Sequence, residues 1–376
     1  MRAPPKKIKK MENKTKKGSS AASAATVRND ETCKSERLCN IDEETIPKAI
    51  VPAVGTNGRA TDEEKGIAQI TDEPITKPGV SLDCIFRSSG RQFINKPTNE
   101  IMQEAMNEPL YMQYWIYCLE NGVKGFEKDI NKVYKLLDYL NIEIGPYYLI
   151  DNRLAQYIFN GWGCEHKDEE AAYDLWARAM CECKKILEDK PLKGDEFYLA
   201  SLHESLYNST YAVGYCTLYG LGTESNARKA VSLFLECARI DVNTDDLPFY
   251  VEGGWKPFQR QAYSAVINIY SQGICMPKDE HKAFYYRKHI CDIGIGTSQD
   301  YINLAACYQR GIGVDKNLAE GFKYLKKAAD MNNNVATDLV SDCLYNGIGV
   351  AKNDEEAQKY ILRGIAIVQD NPWEIE

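Results

Sequence analysis

The side chains most able to do chemistry in this 376-residue chain are few or scattered. It has four histidines, His166, His203, His281 and His289. His281, His289 and Cys291 come nearest to a ligand set, yet spacings of eight and two do not bring all three to one helix face. Thirteen cysteines form no C-x-x-C knuckle, and the tightest pair is Cys181-Glu182-Cys183. Cysteine is also a common small core residue, which is the simpler role for that pair. His203-Glu204 has no nucleophile beside it in sequence. No G-x-S-x-G, H-E-x-x-H, phosphate-binding loop or dinucleotide-binding fingerprint appears. The expectation is a non-catalytic protein with no cofactor and no metal.

The elements around these residues are reached through composition. The formal net charge of −8 does not suit a protein built to neutralise phosphates, so no nucleic-acid partner is expected. No run approaches the ~18 apolar residues of a membrane-spanning helix. The first residues, Met1 to Lys17, carry eight Lys/Arg and no apolar core of a secretory signal. The expected compartment is therefore the cytoplasm. Lys6-Lys7-Ile8-Lys9-Lys10 and Lys14-Thr15-Lys16-Lys17 also resemble a nuclear import signal, which keeps a nuclear regulatory subunit as the alternative.

Composition changes near residue 97. Residues 1–97 hold seven of the 14 prolines, no Tyr or Trp, and only Phe86 and Phe93 among the aromatics. So little large apolar surface cannot offset the entropy of ordering, and this stretch is expected to be disordered. All 24 tyrosines and all five tryptophans lie in 98–376.

That second part repeats. Cys307-Tyr-Gln-Arg-Gly311-Ile-Gly313-Val314 and Cys343-Leu-Tyr-Asn-Gly347-Ile-Gly349-Val350 are nearly superimposable, and Gly161-Trp-Gly163 and Gly220-Leu-Gly222 are earlier copies. Gly273-Ile-Cys275 is degraded, and Gly122-Val-Lys-Gly125 has one residue inserted. Small residues recur six before the first glycine (Ala155, Gly214, Ala305, Ser341) and eight after the second-glycine position (Ala171, Ala230, Ala283, Gly321, Ala357). Four further on stand Leu175, Phe234, Leu325 and Ile361, and the degraded copy departs there with Arg287. A first helix closing on a left-handed glycine, then a second helix returning with small residues at the contact, accounts for these columns. Such hairpins bury their apolar faces only by stacking. Asp168, Asp279 and Asp354 suit the start of the second helices.

The second-glycine column steps by 59, 53, 38 and 36 residues. With Tyr308-x-x-Gly311-Ile-Gly313-Val314, this resembles the Sel1-like repeat family, a relative of the tetratricopeptide repeat. The resemblance implies an all-α fold: a right-handed α-solenoid of about six helical hairpins over 98–376, with extra residues at 184–206 and 241–258. It also implies an adaptor or scaffold role, in which the superhelix holds a partner protein or peptide. Glu169-Glu170-Ala171-x-x-x-Leu175-Trp176 is similar to the animal adaptor that binds the cytoplasmic tail of megalin, so a receptor tail is one expected ligand. Some secreted Sel1-like proteins pair first-helix cysteines with second-helix ones. Here Cys118, Cys216, Cys307 and Cys343 share a column, but Cys181, Cys183, Cys237 and Cys291 share no offset, so free thiols in a core slot are expected.

Tyr111, Tyr114, Trp115 and Tyr117 cluster as candidate partner-binding residues, since Tyr and Trp dominate binding hot spots. Core packing is the competing role. An enzyme with its site in the extra segments is the remaining alternative, and no acid/base or nucleophile set supports it. The sequence does not address oligomeric state.

Overall fold

The structure is a computed structural model that describes residues 66–75, 109–123, 125–143, 147–189, 196–240 and 255–370. Among them are twelve helices and no strand. They pair as six hairpins: α1 (Pro109–Asn121) with α2 (Ile130–Glu143), α3 (Tyr148–Asn160) with α4 (Glu169–Asp189), α5 (Glu196–Tyr219) with α6 (Ala227–Arg239), α7 (Lys256–Gln272) with α8 (Glu280–Asp292), α9 (Ser298–Arg310) with α10 (Leu318–Asp330), and α11 (Asn334–Asn346) with α12 (Asp354–Asp370). The solenoid is all-helical, as the glycine columns require.

Each turn repeats one set of bonds. In the fifth hairpin, Gly311 ends α9 in the left-handed region at φ 75°, and the N–H groups of Gly311 and Ile312 both donate to the Cys307 carbonyl. The chain then swings back so that Asn317 N–H donates to the Tyr308 carbonyl at 2.8 Å, while the Asn317 side chain accepts from Glu320 N–H at 3.0 Å. Asn226, Asp279 and Asn353 cap their helices identically, each at 3.0 Å. Thus Asn353 caps α12, and Asp354, expected to open that helix, is its first residue. These caps satisfy amides that a helix start leaves bare.

The second glycine does something different. It too is left-handed (φ 67° at Gly222, 68° at Gly313, 71° at Gly349), but it also lies against the preceding hairpin. A Cβ on Gly349 would stand 2.0 Å from the Leu318 carbonyl oxygen at the start of α10. On Gly313 it would meet Glu280 O at 2.0 Å, and on Gly222 Glu169 O at 2.2 Å. This glycine sets the distance between stacked hairpins. Cys275 holds the same left-handed place at φ 57° in the degraded copy.

One register shifts. The turn before α4 carries one residue more than the four turns that follow it, so the fully buried small residue there is Ala172, and Ala171 is only half-buried. Trp176 fills the next slot at 1% exposure. Residues 184–206 lie in α4 and α5, which run 21 and 24 residues, with 190–195 outside the described residues. Residues 241–254 lie outside them as well. Cys118, Cys216, Cys307 and Cys343 are fully buried, and the ten described cysteines are free. Burial pushes the Cys216 and Cys343 thiols up to about 12.

The expectation of disorder across 1–97 needs one correction. Residues 66–75 form an extended segment packed on the solenoid, because their backbone and acidic side chains are held where large apolar groups are absent. The rest of that stretch, including the basic clusters, lies outside the described residues.

The two glycines of one turn should differ in cost. At Gly347 an added Cβ meets chiefly the flexible Lys352 side chain, at 3.1 Å, so Gly347→Ala should lose only the left-handed strain of ~1 kcal/mol. Gly349→Ala must push α10 away and should cost at least twice that. Urea unfolding followed at 222 nm compares them; equal losses would contradict the stacking role of Gly349.

Candidate peptide-binding track

Gly66-Ile67-Ala68-Gln69-Ile70-Thr71-Asp72-Glu73-Pro74-Ile75 alternates as an extended chain does. From Ala68 to Glu73 burial alternates, with Ala68 buried, Ile70 and Asp72 half-buried, and Gln69, Thr71 and Glu73 exposed; Gly66 is buried, Ile67 half-buried and Pro74 exposed. Ile70 and Ile75 pack on the solenoid core. Gly66 fits because it has no side chain: at φ 90°, an added Cβ would lie 3.2 Å from both Asp342 Cβ and Ile348 Cδ1.

The backbone of this segment has no strand beside it; side-chain amides on successive first helices take that place. Gln309 of α9 is bidentate, its Oε1 accepting from Ala68 N–H at 2.9 Å and its Nε2 donating to the Gly66 carbonyl at 3.0 Å. Six residues earlier, nearly two turns back along α9, Asn303 repeats the pattern on one residue. Its Oδ1 accepts from Thr71 N–H at 3.0 Å, and its Nδ2 donates to the Thr71 carbonyl at 3.1 Å. Asn268 of α7 donates to the Glu73 carbonyl. The Cys343 thiol of α11 donates to the Gly66 carbonyl at 3.4 Å. Beneath the segment Asn268 and Asn303 are 2% exposed and Gln309 is fully buried, so these amides meet its backbone in place of water. The segment therefore runs from α11 across α9 to α7, against the order of the hairpins.

Two arginines add charge. Arg287 of α8 binds both Asp72 oxygens through one nitrogen, at 2.6 and 2.7 Å, and donates to Cys307 Sγ at 3.5 Å. Its side chain is 3% exposed. Burial works against that charge, but Asp72 and the Cys307 sulfur outweigh it and hold the guanidinium above its ordinary range. Arg260 of α7 binds Asp300 at 2.6 Å and reaches Glu73 at 3.1 Å. Asp300 is itself fixed by the Thr297 capping box at the start of α9. Ser271 donates weakly to Asp72 at 3.4 Å. The track thus combines sequence-blind backbone contacts with two cationic positions, side by side, for acidic side chains.

The aromatic cluster proposed from sequence lies elsewhere. Tyr114 and Trp115 sit in the core of α1 at 4% and 9% exposure, and burial pushes the Tyr114 phenol up to about 12. Tyr117 is half-buried and stacks on Tyr114 at 6.2 Å; the Tyr111 side chain lies outside the described residues. Tyr114 and Trp115 face inward because α1 must bury its apolar side against α2, so they offer little surface to a partner. His281 and His289 are apart and each is engaged, His281 with the Gly313 carbonyl and His289 with the Tyr263 hydroxyl. No group of three metal-ligating side chains occurs among the described residues.

Sequence reasoning missed the track, although two signals point to it. One is the small pair Gly66 and Ala68 standing just before the acidic pair Asp72-Glu73. The other is Arg287, the single charged residue in a column otherwise filled by Leu175, Phe234, Leu325 and Ile361.

The hairpins and their Gly-x-Gly turns define an α-solenoid of stacked Sel1-type repeats. The Sel1 repeat model matches residues 152–180, 208–239, 262–286, 298–333 and 334–366, one match in each of the last five hairpins. No curated protein matches the chain. Among solved structures it is similar to a protective antigen of uropathogenic Escherichia coli displaying an SLR fold. Identity is 16% and the TM-score 0.48, over 72% of this chain and 49% of the antigen, so the chain spans about half of that protein's length. It is also similar to a Sel1 repeat protein from Oxalobacter formigenes, with 17% identity and a TM-score of 0.43 over 76% of this chain and 97% of the other. None of these matches extends to the megalin-tail adaptor, so that resemblance is not carried further.

Charge in the track makes an asymmetric prediction. Asp72→Ala strips a buried guanidinium of its carboxylate and should cost about 2 kcal/mol. Arg287→Leu restores the side-chain type of the other hairpins and frees Asp72 to reach water, so it should cost less than half as much. Thermal unfolding of both variants measures this; a larger loss for Arg287→Leu would contradict the pairing.

Proposed function

We propose that this protein is a non-catalytic interaction scaffold that holds an extended segment of a partner protein along the track formed by α7, α9 and α11. Sel1-repeat proteins are generally protein-interaction scaffolds, and the single observation that carries the reading here is the bidentate engagement of a peptide backbone by Asn303 and Gln309. Side-chain amides that bond N–H and C=O of one extended chain hold it without regard to its side chains, as an added strand does at a sheet edge. The track is all binding groups: amides, two guanidinium groups and a buried thiol whose pKa lies far above neutrality. It has no nucleophile activated by a base.

The cytoplasm is the compartment in which we expect this scaffold to act. No helix among the described residues is long and apolar enough to cross a membrane. Free cysteines buried in the first helices suit a reducing environment.

The test is affinity capture from cell lysate by the full chain, with bound proteins quantified by mass spectrometry. The variant Asn268→Ala/Asn303→Ala/Gln309→Ala should lose at least one bound protein tenfold or more. A control at exposed Tyr139 and Ile142 of α2, both changed to Ser, should retain it. An unchanged set of bound proteins in the triple variant would remove the track as the binding site.

A further inference from the structure

We propose that Gly66–Ile75 is a built-in competitor, and that the ligand of the track is an extended acidic segment of another protein bearing the same spacing. In that spacing a glycine and a small residue two positions later precede an adjacent pair of acids, as in Gly66-x-Ala68-x-x-x-Asp72-Glu73. The inference rests on the scaffold reading and names the partner's chemistry.

Selection comes from four places along the track. Gly66 sits where a Cβ would press on Asp342 and Ile348. Ala68 is 1% exposed and part of the solenoid core, so its position takes a small apolar side chain. Arg287 requires a carboxylate four residues beyond that alanine, and Arg260 accepts one at the next residue. Between these points Gln69 and Thr71 are exposed, and Thr71 is held through its backbone, so the side chains at those positions are free.

Arg287 argues that an acidic ligand is what this site is for. The equivalent residues of neighbouring hairpins are Trp176 in the shifted register of the second, then Phe234, Leu325 and Ile361, and stacking alone needs nothing charged there. A guanidinium that is 3% exposed demands an anion whenever the site is dry, and the described residues bring Asp72 to it from the competitor rather than from the solenoid. Glu73 is 63% exposed and meets Arg260 at the open rim, the place from which the segment can be peeled away. Tethering to the same chain gives the competitor a high effective concentration, so an outside peptide displaces it only above a threshold.

The probe is a fluorescein-labelled 14-residue peptide reproducing residues 64–77, titrated into the full chain and read by anisotropy. Two variants weaken the competitor and leave the track intact: Asp72→Asn/Glu73→Gln, and separately Gly66→Val. Circular dichroism confirms that each keeps its helices. Both should bind the peptide at least tenfold more tightly than the parent chain. A second peptide with Asn in place of Asp72 alone should bind the Gly66→Val chain at least tenfold more weakly than the first, and adding Arg287→Leu should abolish that difference.

Equal binding of both peptides would overturn acid selection while leaving the track as a peptide site. Equal binding by parent and variant chains would overturn the competitor role. Binding of neither peptide to any chain would overturn this inference and remove the scaffold reading's claim on the track.

Discussion

The molecule depends on a missing atom. At Gly222, Gly313 and Gly349 the backbone of one turn lies so close to the first turn of the preceding second helix that a Cβ would fall about 2 Å from a carbonyl oxygen. No side chain larger than hydrogen is compatible with that approach, so these three turns fix the spacing of the hairpins they join. That spacing lines up α7, α9 and α11 and thereby brings Asn268, Asn303 and Gln309 into one row. A solenoid gains stability as a sum of hairpins and interfaces. The same glycines that hold the interfaces therefore also set the pitch of the binding track.

The track is a second use of ordinary repeat positions. Gln309 lies in the turn of α9 that precedes Gly311, and Arg287 occupies an apolar column, so neither adds a loop or an extra element. Small changes in side-chain type on a fixed scaffold turned a packing surface into one that grips a peptide backbone. The fully buried Gly321 helps here: its missing Cβ, 2.7 Å from Gln309 Cγ, leaves room for the Gln309 side chain to lie flat against α10.

Much of this fold was legible in the residues, because a left-handed turn demands glycine and a close helix contact demands small side chains. Both needs recur at every hairpin and so show up as columns. The register at Ala171 was misread by one because a single extra residue in one turn is invisible until the helix start is seen at Glu169. The stacking role of the second glycine was not legible either, since it answers to a carbonyl in a different hairpin, some thirty or more residues away. Tyr114 and Trp115 were weighed as partner contacts on residue type alone, and type does not say which face of α1 they occupy. Residues 66–75 were assigned to disorder because they lack large apolar groups. Their order comes from polar partners far away in sequence, 187 residues for Arg260 with Glu73 and 243 for Gln309 with Gly66, and composition carries no trace of that.

The claim that the solenoid grips an extended segment through side-chain amides is tested most directly by amide hydrogen exchange on the intact chain. The account predicts that the peptide spanning 66–75 exchanges at least tenfold more slowly than its unstructured rate. Asn303→Ala/Gln309→Ala should abolish that protection while the helical peptides of α9 and α11 keep theirs. Exchange of 66–75 at the unstructured rate in the parent chain would contradict it.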